Sequence, residues 1–200
     1  MADVVLYATD TMADWEYGYL TAGLAWAGDG RFRLRVLAER PGPVTTKGLL
    51  RVETDGVLDD LDEDDVALLV LPGADTWDAG HAAALELARR LLDRGTPVAA
   101  ICGGTLGLAR AGLLDERDHT SNAPDFLLPS GYRGAERYRE AAVVDDGGVI
   151  TASAMKPVNF SAAVFRRLGL FPPAVVDAWQ GLYTTGERRY FDELMSAGAA

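Results

Sequence analysis

Three short runs of this chain are apolar or aromatic at every position: residues 4–8, 66–71 and 98–101. A strand with one wet face alternates apolar and polar side chains, whereas a run apolar throughout is buried on both faces. Each run gives way to turn residues and then to a stretch with helical spacing. Buried strands alternating with helices predict an α/β fold, a mostly parallel sheet covered on both sides.

The segments between fit that reading. Trp15, Leu20, Leu24 and Ala27 recur at helical spacing over 14–27, and Gly28-Asp29-Gly30 ends the helix. Residues 82–94 read as an amphipathic helix with Leu85 and Leu92 inward, closed by Gly95. Helices are predicted over 105–114, 160–168 and 175–194, the last two separated by Pro172-Pro173. Residues 32–37 alternate apolar and basic side chains, as a strand with one wet face does. Short strands are predicted at 50–53 and 119–122, and a hairpin joins 141–144 to 148–153 around Asp146-Gly147. The acidic run 59–65 lacks the alternation and glycine of a calcium loop and reads as a solvated loop or helix end. No repeat or composition shift marks a second domain. The expectation is one domain over 1–200, with 170–200 as a helical extension offering a dimer face.

Composition narrows the function classes. Two hundred residues bury a core without staples, and one cysteine forms no intrachain disulfide, which points to a reducing compartment. A formal charge of −11 argues against nucleic acid and anionic membrane surfaces as partners. The first residues carry neither a basic segment nor a long apolar one, so a cytoplasmic location is expected. No His/Cys/carboxylate grouping has metal-ligand spacing, and no metal or cofactor is expected.

The single cysteine stands where a strand becomes a helix, in Thr96-Pro97-Val98-Ala99-Ala100-Ile101-Cys102-Gly103-Gly104-Thr105. A strand–nucleophile–helix turn is so tight that the residues two before and two after the nucleophile must be small, and here they are Ala100 and Gly104. The turn places the sulfur at a helix N-terminus, where unpaired N–H groups favour a thiolate. Gly103 N–H and that of Gly73 or Ala74, at the end of the neighbouring strand, are candidates for an oxyanion hole. Asp14 or Glu16, after the first strand, could set a carboxyl beside the sulfur. His119 is a tentative proton carrier, opposed by the period of two along a strand, which turns it away if Asn122 faces the thiol. His81, among Asp78, Ala79 and Gly80, reads as solvated. Ser153, Met155 and Lys156 follow a strand end and either line the cleft or cap the next helix.

These stretches resemble the DJ-1/PfpI family of the class I glutamine amidotransferase-like superfamily, from Val4 to about Leu168. The matching parts are Ala13-Asp14-Trp15-Glu16, Leu69-Val70-Leu71-Pro72-Gly73 and Ala99-Ala100-Ile101-Cys102-Gly103-Gly104. Ala111-Gly112-Leu113-Leu114, running to Thr120-Ser121, and Gly148-Val149-Ile150-Thr151-Ala152 also fit. The resemblance implies a flavodoxin-like three-layer α/β/α sandwich, a homodimer, Cys102 as reactive cysteine and Glu16 as its partner. It suggests small reactive carbonyl or amide substrates, in a glyoxalase, deglycase or hydrolase type of stress protein. The alternatives are a redox sensor using an oxidisable Cys102, a peptidase, amidase or glutamine amidotransferase-like activity, and a binding module that has lost its chemistry. Protease-like members carry histidine directly after the cysteine, where this chain has Gly103. DJ-1-like members carry one where Asn122 stands, and amidotransferases take histidine and glutamate where this chain has Ser153 and Met155. A bacterial branch with a Cys-Gly elbow places His-Thr-Ser-Asn where residues 119–122 stand.

Overall fold

The structure is a computed structural model that describes residues 1–28 and 30–197. Asp29, part of the turn predicted to end the first helix, lies outside the described residues, as do the last three of the carboxyl-terminal extension. A seven-stranded sheet forms the middle layer. Its strands in chain order are β1 (Ala2–Tyr7), β2 (Phe32–Ala38), β5 (Gly56–Val57), β6 (Val66–Leu71), β7 (Val98–Ile101), β8 (Val143–Asp146) and β9 (Val149–Ala152). They lie in the order β5-β2-β1-β6-β7-β9-β8, parallel throughout except for the antiparallel β8–β9 hairpin. A separate two-stranded hairpin joins β3 (Val44–Thr45) to β4 (Arg51–Val52).

The alternation along the central strands is complete. Val5 and Tyr7, Leu69 and Leu71, and Val98 and Ala100 enter one core, with Leu87 and Leu91 of α2 (Ala82–Asp93) and Leu108 of α3 (Gly103–Arg110). Val4 and Leu6, Leu68 and Val70, and Ala99 and Ile101 enter the other. There they meet Leu20 of α1 (Asp14–Ala27), Phe160 and Phe165 of α5 (Pro157–Leu168) and Trp179 of α6 (Pro173–Thr185). Each fully buried leucine contributes about 2 kcal/mol of transfer free energy, so the central strands anchor both layers. Gly23 lets the Phe165 ring lie directly on α1, since any Cβ there would run into the ring.

Several predicted boundaries change. The helix after Cys102 stops at Arg110 and continues as turns, closed by Gly112 at φ 70°. Residues 119–122 form no strand, and one bridge between His119 and Tyr138 is all the pairing they have. The helix expected over 175–194 is broken at Gly186, φ 71°, into α6 and α7 (Arg188–Ser196), where the left-handed turn suits glycine. Val175, Val176, Ala178, Trp179 and Leu194 pack into the chain's own core, while Tyr183, Phe191 and Met195 stay exposed. Short α4 (Pro124–Leu127) adds to the predicted elements.

The central parallel strands end on one side of the molecule. Ligands gather beyond the carboxyl ends of such strands. The loops after β1, β6 and β7 meet there.

Candidate active site

Cys102 is the hinge between β7 and α3. Its N–H donates to Ala152 O of the neighbouring β9 at 3.0 Å, and its carbonyl accepts from Thr105 N and Thr105 Oγ1 at 3.1 and 2.5 Å. Pinned at both ends, the residue takes φ 56° and ψ −121°, a conformation that only glycine adopts without strain. The tight turn requires Gly104, where a Cβ would collide with the Leu71 carbonyl. A Cβ on Gly103 would come to 2.7 Å from Trp77 Cδ1 and 2.9 Å from Ala74 O. With Trp77 and the Ala74 backbone in these positions, a side chain at residue 103 has no room.

Glu16 arrives from the first turn of α1 and is fully buried. Ala13 N–H donates to Gly73 O at 2.9 Å, and Gly73 N–H donates to Glu16 Oε2 at 2.5 Å, so the loops after β1 and β6 clamp each other. The Cβ position of Gly73 lies within 2.8 Å of both Glu16 carboxyl oxygens and of Cys102 Cβ. Carboxyl and thiol therefore flank the same glycine, and only glycine fits between them. Glu16 Oε1 is buried without a hydrogen-bond partner. Burial pushes the Glu16 carboxyl up to about 7, against downward pulls from Gly73 N–H, the Cys102 side chain and Lys47. Burial and the Glu16 charge push the Cys102 thiol up to about 11, opposed by Asn122 and Gly103 N–H.

The helix N-terminus alone thus does not produce a thiolate, contrary to the expectation from position. Burial raises both groups, the carboxyl to about 7 and the thiol to about 11, so the carboxyl ionises first, and a carboxylate poised near neutrality can accept a proton from a neighbouring thiol.

The remaining site residues divide. Asn122 joins the site: its Nδ2 donates to Cys102 Sγ at 3.3 Å, while its Oδ1 accepts from Ala154 N at 2.9 Å, which fixes the amide orientation. Gly103 N–H stands at the head of α3, with no intrahelical acceptor, and acts on the sulfur. Ala74 N–H has no hydrogen-bond partner among the described residues and lies 3.1 Å from the Gly103 Cβ position. Gly73 is corrected: its N–H is committed to Glu16, so of the two candidates on that loop Ala74 is the free donor.

His119 is also corrected. Its Nδ1 is hydrogen-bonded to Arg117 O at 2.8 Å and its Nε2 to Tyr132 OH at 3.2 Å, with its ring edge-on to Tyr132 and Tyr138. Both ring nitrogens are occupied away from the sulfur. Ser153 is buried and bonds only within its own turn, Oγ to Met155 Sδ at 3.4 Å and Met155 N to Oγ at 3.3 Å. His81, expected to be solvated, is buried between Tyr7 and Thr76. Lys47, which sequence reasoning missed, pairs with Asp75 at 2.6 Å and acts on Glu16. Its loop is tied to α1 by Gly48 N–H on Asp14 Oδ2 at 2.6 Å, a long-range contact that no local pattern announces. Among the described residues no group of three or more His, Cys, Asp or Glu side chains could hold a metal ion.

The family model described as the DJ-1/PfpI family matches residues 2–167. The chain belongs to the DJ-1/PfpI family. Among its relatives, the protein named uncharacterized protease YoaZ from Bacillus subtilis is 36% identical over 204 residues, covering 96% of each chain. A protein named deglycase PfpI from Pyrococcus furiosus is 32% identical over 115 residues, 56% of this chain and 67% of that one. Among solved structures, a ThiJ/PfpI family protein from Bacillus anthracis superposes with a TM-score of 0.90 at 36% identity, covering 98% of this chain and 96% of that one. The DJ-1 superfamily protein Atu0886 from Agrobacterium tumefaciens follows at 0.81 and 34%, covering 94% and 100%. The flavodoxin-like sandwich expected from the resemblance is thus the fold of the chain. No described helix is long and apolar enough to cross a membrane.

Proposed function

We propose that this DJ-1/PfpI protein is a cysteine-dependent enzyme acting on small reactive carbonyl compounds, with 2-oxoaldehydes such as methylglyoxal as the substrate class. The observation that carries the reading is the buried Glu16 carboxyl, raised to about 7 and set against the thiol with one oxygen unpartnered. Cys102 Sγ adds to the aldehyde carbon while Glu16 takes the thiol proton and passes it to the carbonyl oxygen. That oxygen meets Ala74 N–H and Gly103 N–H. The Glu16 carboxylate then removes the proton on the former aldehyde carbon and returns it to the adjacent carbonyl carbon, while the hydroxyl proton passes through the same carboxyl to the oxygen of that second carbon, turning the hemithioacetal into a thioester of a 2-hydroxy acid. Water cleaves the C–S bond, and Cys102 leaves with a proton restored through Glu16. The sum is oxoaldehyde plus water to 2-hydroxy acid, with no external oxidant. Every proton move falls to one carboxyl, which suits a site with no histidine nitrogen turned toward the sulfur.

The test is conversion of methylglyoxal to lactate by the purified protein, with Cys102→Ala as control. Sustained turnover in the wild type and none in the variant is the expected result. Absence of turnover across small aldehydes and amides overturns the reading.

A second reading, a redox sensor, is favoured by the Asn122 amide on a half-buried sulfur. That donor, Ala74 N–H and Gly103 N–H would hold the oxygens of a sulfinate. Mass spectrometry after mild peroxide separates the two: a stable sulfinate on Cys102 in a protein without turnover favours sensing. A peptidase is disfavoured, since His119 is bonded elsewhere. We propose a homodimer, as the family resemblance implies; a sedimentation profile of monomer alone would exclude it.

A further inference from the structure

A second hollow of about 350 Å³ lies beyond the carboxyl ends of β1 and β2, between residues 39–44 and residues 76–81. That volume falls in the low range of small-ligand cavities. The Cys102 chemistry uses none of its residues. Its floor holds a hydrogen-bonded chain running from buried Tyr7 and His81 out to exposed Thr76: Tyr7 OH to His81 Nδ1 at 2.8 Å, then His81 Nε2 to Thr76 Oγ1 at 3.0 Å. His81 sits in the left-handed region at φ 59°, a strained choice for a residue with a side chain. The strain is held by stacking on Trp77, with ring centroids 4.2 Å apart, and by edge-on contact with Tyr7.

The chemistry of the lining selects its occupant. The floor is neutral: burial lowers the His81 pKa, and it raises that of Tyr7 beyond the usual phenol range. Tyr7, His81 and Thr76 each combine donor and acceptor capacity, as a hydroxyl ligand does. The rim carries both signs. Glu39 Oε1 accepts from Ala83 N and Ala84 N at 3.1 and 3.3 Å, and Asp10 Oδ1 accepts from Thr45 N at 2.8 Å. Among the described residues each carboxylate keeps its second oxygen free of protein partners, and Arg40 has no partner. Ala8, Ala38 and Val44 supply an apolar wall for a C–H face. An anion would meet the two rim carboxylates, and a cation would meet the Arg40 guanidinium beside them.

We infer that this hollow binds a neutral polyol of monosaccharide size, its vicinal hydroxyls held by Asp10, Glu39 and Arg40 over the Tyr7–His81–Thr76 floor. The site is separate from Cys102. Trp77 stands between them, one face on His81 and an edge against Gly103 and Gly107.

The experiment is an amide-resolved NMR titration with D-ribose and D-glucose, and with glycine and inorganic phosphate as zwitterion and anion probes. Expected are saturable shifts at Gly42, Gly80 and His81 with a sugar at millimolar concentration, unchanged in Cys102→Ala. Arg40→Ala and Asp10→Asn, both at exposed positions, should each weaken binding about tenfold with the spectrum otherwise folded. No saturable shift with either sugar, stronger shifts with glycine or phosphate, or shifts centred on Cys102 and lost in Cys102→Ala would each overturn the proposal.

Discussion

One buried carboxylate stands near the amino end of strand β1 and another in α1 beyond its carboxyl end, and the two are treated in opposite ways. At the amino end, Asp3 is 1% exposed and Arg33 grips it with two hydrogen bonds of 2.8 and 3.0 Å, with Arg35 at 3.5 Å. Beyond the carboxyl end, Glu16 is equally buried, receives one N–H, has no cation bonded to it and leaves an oxygen unpartnered. Burying a carboxylate is costly unless it is paired or neutralised. The first end meets that cost with guanidinium groups. The second leaves it standing as a proton affinity near neutrality, the property a general acid–base needs. A buried acid with its arginines belongs to the scaffold; a buried acid without them is the one the proposed function draws on.

The largest effect expected from breaking this contrast is kinetic. Glu16→Gln keeps the shape and removes the acid–base group. Methylglyoxal turnover at neutral pH should fall about 100-fold. Wild-type turnover should rise through about pH 7 as Glu16 ionises, a step absent from the variant. In the variant the remaining thiol ionisation should move below about 11, because the Glu16 charge that raises it is gone. Unchanged neutral reactivity would remove Glu16 from the mechanism.

The same substitution should stabilise the fold in alkali. Glu16 is raised from 4.5 to about 7, so the folded state holds a proton that the unfolded state has released. Stability is full below 4.5, declines as pH rises to about 7 and stays low beyond it, by about 3 kcal/mol in all. Urea melts of wild type and Glu16→Gln should therefore diverge between pH 5 and 8, with the variant more stable at the upper end. Parallel curves would mean the carboxyl is not buried as described.

At the other end, Asp3→Asn should cost about 2 kcal/mol, less than a fully buried pair because Arg33 is half exposed, and should leave Cys102 alkylation unchanged. Smallest is His119→Gln. Its bonds to Arg117 O and Tyr132 OH are structural, so about 1 kcal/mol of stability and no change in the alkylation profile are expected. A shifted profile would return His119 to the site.

What could be read from the sequence follows from the range of the forces involved. Strands β1, β6 and β7 were legible because burial on both faces leaves no polar position in the run. The elbow was legible because a tight strand-to-helix turn demands small residues at fixed places around its apex, and Ala100 and Gly104 stand at those places. The choice between Gly73 and Ala74 was not, since it turns on which acceptor takes one N–H across 57 residues. His81 was misread because the polar residues beside it hide a side chain folded back under Trp77. The β3–β4 hairpin has two-residue strands, set by bonds from Asp10 and Asp14 rather than by periodicity of its own.

The backbone at Cys102 carries a consequence for heredity. At φ 56° and ψ −121° a glycine would rest more comfortably than any residue with a side chain, by about 1 kcal/mol. Under the proposed function, a single drift to glycine would make the protein inert and somewhat hardier at once, so stability alone would not keep the sulfur in place.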